Sequence, residues 1–99
     1  MTTFRNSEGR VPLIAGNWKM NLDHHQAAES LRMFAASIDG ARLKSGNVEV
    51  AIFPPFTDLP AVQHAVGTEA LPLSYGGQDL SPFDAGAHTG DISGLFLAR

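Results

Sequence analysis

The chain has 99 residues, a formal net charge of −3 with histidine neutral, 43% hydrophobic and 17% charged residues, and no cysteine. This is the composition of a globular chain and not a disordered one. The acidic balance argues against an electrostatic grip on nucleic acid or on an anionic membrane surface, and the missing cysteine excludes disulfides and thiolate metal sites.

Met1 to Arg10 is polar and has no apolar stretch of the kind a secretory signal carries. It reads as a tail before the fold. No apolar run approaches the roughly 18 residues of a membrane span, and the expected location is the cytoplasm. Val11 to Gly16 is apolar at nearly every position, with Pro12 near the start, where a strand tolerates a missing N–H. A strand apolar on both faces marks a parallel sheet covered by helices. Asn21 or Asp23 is placed to cap a first helix running to about Ile38. Ala27, Leu31, Phe34, Ala35 and Ile38 recur at three- and four-residue spacing as its buried stripe, and Gly40 supplies a stop.

Val48 to Phe53 is the second strand, ended by Pro54-Pro55. Thr57 or Asp58 is placed to cap a second helix that tolerates Pro60 in its first turn, buries Leu59, Val62 and Val66, and stops at Gly67. Leu71 to Tyr75 is the third strand. Gly76-Gly77 opens an irregular stretch, Ser81 to Ser93 reads as a long loop, and Leu95 to Arg99 as the start of a third helix. Strands and helices alternating at this spacing imply right-handed parallel β-α-β units in one domain spanning residues 11–99.

Ligands of a parallel α/β sheet bind beyond the C-terminal ends of its strands. Asn17 and Lys19 fall at that end of the first strand, and Gln78 and Asp79 fall just past the third. Lys19 supplies a cation and Asn17 both a donor and an acceptor. The pair suits an anionic ligand whose reacting oxygen gains negative charge. Two unit charges about 4 Å apart are worth roughly 4 kcal/mol at an effective dielectric of 20, enough to change a rate by about three orders of magnitude. By spacing alone the signal is weak: a lysine after a strand is usually a solvated loop residue, and an asparagine at a strand end more often makes a turn than a ligand contact. The histidines add no chemistry: His24 and His25 are helix neighbours pointing about 100° apart, His64 sits near a helix end and His88 on the loop. Asp79 and Asp84 read as turn and cap residues. No metal and no cofactor are expected.

Three blocks narrow the choice. Gly16-Asn17-Trp18-Lys19-Met20-Asn21 closely resembles the segment that ends the first strand of triosephosphate isomerases. Phe53-Pro54-Pro55-Phe56 is similar to the pattern after the family's second strand. Gly77-Gln78-Asp79-Leu80-Ser81, followed by Gly86-Ala87-His88-Thr89-Gly90-Asp91-Ile92-Ser93, is similar to its third loop. The blocks stand in the family's order and separation, and the resemblance covers essentially Val11 to Arg99.

The resemblance implies a (β/α)₈ barrel and the interconversion of dihydroxyacetone phosphate and glyceraldehyde 3-phosphate through an enediolate. Lys19 would face the phosphate and the enediolate, Asn17 would bond a substrate oxygen, and Gln78 would support the site without taking part. It also implies a homodimer, in which the third loop reaches a pocket of the other subunit. Thr89 would then brace the neighbour's Asn17 and Lys19, Asp91 would pair with an arginine across the interface, and Met20 would meet the incoming loop. A family barrel needs about 250 residues. The motifs of its histidine electrophile, after the fourth strand, and its glutamate base, after the sixth, do not occur here. Neither do the phosphate-binding glycine segments of the last two strands. This chain alone is therefore expected to hold only the N-terminal β-α-β-α-β portion, to be poorly soluble or molten, and to be inactive. Its alternative is a non-catalytic remnant or dimer-interface module; a weaker one is another phosphate-binding α/β protein. Gly94 departs from the proline common at the family's third-helix start, which predicts a looser start.

Overall fold

The computed structural model describes residues 9–38, 46 and 48–98. Residues 1–8 of the tail, the expected helix stop at Gly40 and the terminal Arg99 lie outside the described residues. In chain order the elements are β1 (Leu13–Asn17), α1 (His24–Ala36), β2 (Glu49–Phe53), a 3-10 turn (Phe56–Asp58), α2 (Leu59–Glu69), β3 (Ser74–Tyr75) and α3 (Gly94–Leu97). The sheet order is β1-β2-β3 and both pairings are parallel. Leu13 lies opposite Glu49 and Asn17 opposite Phe53, while Ala51 pairs with Ser74 and Ile52 with Tyr75.

Alternation along β2 sorts the sheet into two faces. Val50 and Ile52 join Ala27, Leu31, Val62, Ala65 and Leu73 in the core between sheet and helices. Glu49, Ala51 and Phe53 point to the opposite face, and register places Leu13, Ala15 and Asn17 beside them. β1 was expected to be buried on both faces, yet Leu13 is 56% and Ile14 59% exposed. Among the described residues β1 pairs on one edge only, so its apolar side chains lack the neighbours their composition calls for.

Helix α1 starts where a full capping box forms. Asp23 accepts from the N–H groups of His25 and Gln26, and the Gln26 side chain accepts from the Asp23 N–H. Asn21, the other candidate cap, instead donates to Trp18 O at 2.9 Å. Ala27 and Leu31 are fully buried, and Ala35 and Ile38 pack against the core, but Phe34 stays on the exposed flank. The helix ends at Ala36, before Ile38, and the Ser37 hydroxyl bonds the Phe34 carbonyl.

The entry to α2 departs from expectation. Neither Thr57 nor Asp58 caps it through a side chain: a 3-10 turn runs straight into the helix, with Asp58 already in helical backbone and Pro60 in the first turn. The helix buries Val62 and Ala65 fully, with Leu59 and Val66 half-buried. It passes through Gly67 to Glu69 and stops at Ala70, which takes the left-handed conformation (φ 49°) that glycine usually supplies. The Leu71 N–H closes the end on Val66 O at 3.1 Å. β3 is only two residues long because Pro72 has no N–H and Leu73 N turns back to Leu71 O at 2.9 Å.

The long loop has internal order. Ser81 and Ser93 form a parallel bridge at its base, Ser81 N donates to Ile92 O at 2.7 Å, and the Ser93 hydroxyl donates to Asp84 O at 2.7 Å. Phe83 and His88 stack with centroids 4.3 Å apart and planes 5° from parallel. Helix α3 then begins at Gly94, one residue before the expected start, with Ser93 at its N-cap. No helix among the described residues is long and apolar enough to cross a membrane.

Candidate active site

The two central candidates lie at the end of β1, and Asn17 is its last residue. The β1-β2 ladder extends one step further, from Trp18 N to Phe53 O at 3.1 Å. There the chain leaves the sheet through Lys19 and Leu22, both non-glycine residues with positive φ, of 54° and 67°. Left-handed backbone costs an L-residue roughly 1–2 kcal/mol, so surrounding bonds must hold Lys19 in place. Two do. Its N–H donates to Asn17 Oδ1 at 2.8 Å, and its carbonyl accepts from Gln78 Nε2 at 2.8 Å.

Gln78 also donates from the same Nε2 to Phe53 O at 2.8 Å. One side-chain amide, arriving just past β3, therefore ties the carboxyl end of β2 to the turn after β1. Gly77 lets it arrive at that angle: a Cβ there would stand 2.8 Å from the Phe56 ring and 3.0 Å from Leu97. The family resemblance gave Gln78 a supporting role without the two bonds by which it braces the turn, and nothing in the sequence marked Gly77 as sterically obligatory.

Asn17 is narrower in its chemistry than its side chain allows. Its oxygen is committed to the Lys19 N–H, which leaves Nδ2 as the donor for a ligand. The exposed Lys19 adds the positive charge beside it. A donor and a cation at one strand end form an anion-binding arrangement that can stabilise negative charge gathering on an oxygen.

The other named residues do not join this cluster within the chain. Met20 is 94% exposed. Thr89 and Asp91 lie exposed on the loop, and no hydrogen bond or ion pair among the described residues ties either side chain to Asn17 or Lys19. Asp79 accepts from its neighbour Leu80 N at 2.8 Å, a turn role. The rings of His24 and His25 do not point apart as expected: their centroids are 4.0 Å apart with a 38° tilt. Among the described residues no three His, Asp or Glu side chains are grouped to hold a metal.

A parallel β-α-β-α-β sheet with its candidate residues at the carboxyl ends of its strands is a segment of a β/α barrel. Residues 12–99 match the sequence profile described as triosephosphate isomerase, and the chain belongs to that family. It is similar to the triosephosphate isomerase of Leifsonia xyli subsp. xyli, with 55% identity over 89 residues that cover 90% of this chain and 34% of that protein. The enzymes of Mycobacterium bovis and Mycobacterium tuberculosis are each 53% identical over 90 residues, covering 91% of this chain and 34% of theirs. The chain thus spans about a third of the length of the curated relatives it matches.

Proposed function

We propose that these residues form the electrophilic side of a triosephosphate isomerase site, acting on dihydroxyacetone phosphate and glyceraldehyde 3-phosphate in the cytoplasm. The observation that carries this reading is the Lys19-Asn17 pair, fixed at the strand ends by the Gln78 bonds. Lys19 offsets the charge of the phosphate and of the enediolate oxygen, and Asn17 Nδ2 donates to the substrate oxygen. The motifs that carry the family's proton-transferring glutamate and electrophilic histidine do not occur in these 99 residues. The 99-residue chain alone therefore performs no isomerisation. The exposed loop through Thr89 and Asp91 serves a homodimer contact that reaches the partner's Asn17, Lys19 and Met20.

The test is a graft. Residues 1–99 replace the matching third of the Leifsonia xyli protein, and isomerase activity is measured on the purified chimera. Activity within about tenfold of the parent is expected, with Lys19→Met lowering kcat/KM by about a thousandfold or more. A folded but inactive chimera, or an active one indifferent to Lys19, overturns the reading.

A further inference from the structure

One buried ionisable group has no part in the chemistry above. Asp58, in the 3-10 turn between β2 and α2, is 0% exposed, and its Oδ2 has no hydrogen-bond partner among the described residues. Its Oδ1 has a single long contact, from the Thr57 hydroxyl at 3.5 Å. Among the described residues no cation closes on it. The turn packs against α1, and Asp23 and His24, at the N-terminal end of that helix, act electrostatically on Asp58. Asp23 is exposed, and its Oδ1 holds the capping bonds to His25 N and Gln26 N. A buried carboxylate with one weak donor and a second carboxylate nearby carries a desolvation cost that a neutral acid avoids.

We propose that Asp58 is a proton-operated latch between the turn after β2 and the N-terminal end of α1. As a neutral acid it seats in the core, and as a carboxylate it drives the turn and the α1 cap apart. Burial pushes the Asp58 carboxyl above its ordinary range. The Thr57 hydroxyl pulls it back down, the Asp23 carboxylate raises it again, and His24 lowers it. The sign follows from proton linkage. The closed state binds the proton more tightly than the open one, so closure is fully favoured below the ordinary carboxyl value of about 3.9. It weakens as pH rises to the elevated titration point of the closed state, and above that point it is constant. Across that interval the opening constant grows about tenfold per pH unit.

The experiment is a pH titration of the aspartate carboxyl carbons by ¹³C NMR on the grafted chimera, its fold first confirmed by a cooperative thermal transition, in buffer and in urea, with Asp58 assigned by through-bond correlation. Asp58 is expected to titrate higher in buffer than in urea, because burial raises its carboxyl only while the seat is closed. A titration at the urea value overturns the latch, whether water reaches the group or the seat is open. Amide exchange at His25, Gln26 and Ala27 supplies the second readout, compared at matched pH between the parent and Asp58→Asn, which keeps the shape of the neutral acid. The parent's exchange is expected to accelerate relative to the variant by about tenfold per pH unit in the interval, then to run parallel above it. A ratio that is flat from acid to neutral pH also overturns the proposal. Should the variant not fold, the carboxyl titration of the parent decides alone.

Discussion

Asn17 commits its amide oxygen to the backbone N–H of Lys19, so its side chain helps hold the turn that carries the lysine. Asn17→Asp keeps that bond but replaces the ligand-facing donor with a negative charge. In the grafted enzyme it is expected to lower kcat/KM by about a hundredfold, mostly through a weaker hold on the anionic substrate. Retention of parental KM counts against the placement of Nδ2. Gln78→Glu sets a carboxylate against the Lys19 and Phe53 carbonyls, where an amide had donated twice. A loss of about tenfold or more in kcat/KM, with partial recovery as pH falls and the acid regains a donor, separates positioning from mere packing. Ala70, the left-handed end of α2, invites the opposite change. Ala70→Gly should raise stability by about 0.5–1 kcal/mol, read from the thermal midpoint of the graft. The family resemblance gave the roles of Asn17 and Gln78 in outline, and the role of Ala70 not at all. Asn17 and Lys19 stood out by residue type, but φ at Lys19, the brace from Gln78 and the helix end at Ala70 depend on contacts between segments distant in sequence.

At the scale of elements, hydrophobic period was the dependable signal, because burial of Ala27, Leu31 and Val62 follows from spacing on one helix face. The ends were less legible. Gly67 lies within a helix that continues, and the entry to α2 is fixed by the turn after Pro54-Pro55, not by a side-chain cap. Two kinds of contact join α1 to α2, and magnitude separates them. Arg32 Nε meets both Glu69 oxygens, at 2.8 and 3.0 Å, while both side chains remain partly in water. Screened pairs of this type contribute about 0.2–1 kcal/mol. Leu31, fully buried against the core, falls among the sites where Leu→Ala costs about 2–5 kcal/mol. Denaturant unfolding of the graft should therefore show Leu31→Ala as severe, and an Arg32→Ala, Glu69→Ala double-mutant cycle with coupling below about 1 kcal/mol. A coupling above about 2 kcal/mol would shift the weight of the helix pair onto the ion pair.

Over the whole chain, the sequence made β1 a core strand and the structure leaves Leu13 and Ile14 more than half exposed. The two agree once burial is treated as a property of the closed sheet: an apolar strand paired on one edge retains its composition but not its surroundings. Leu95 and Phe96 of α3 are exposed for the same want of neighbours, at 46% and 70%. Burying that surface is worth about 25 cal/mol per Å², a driving force for association that the 99-residue chain leaves unused. The expected behaviour of the purified chain is a broad, weakly cooperative thermal transition with strong binding of a hydrophobic dye. Mixing it with a polypeptide comprising the remaining two-thirds of the Leifsonia xyli protein should sharpen the transition and generate isomerase activity that disappears with Lys19→Met. A sharp, cooperative transition and a dye-silent surface in the chain alone would show that three strands and two packed helices suffice for a native core. Activity in the mixture that survives Lys19→Met would break the link between the strand-end cation and the chemistry.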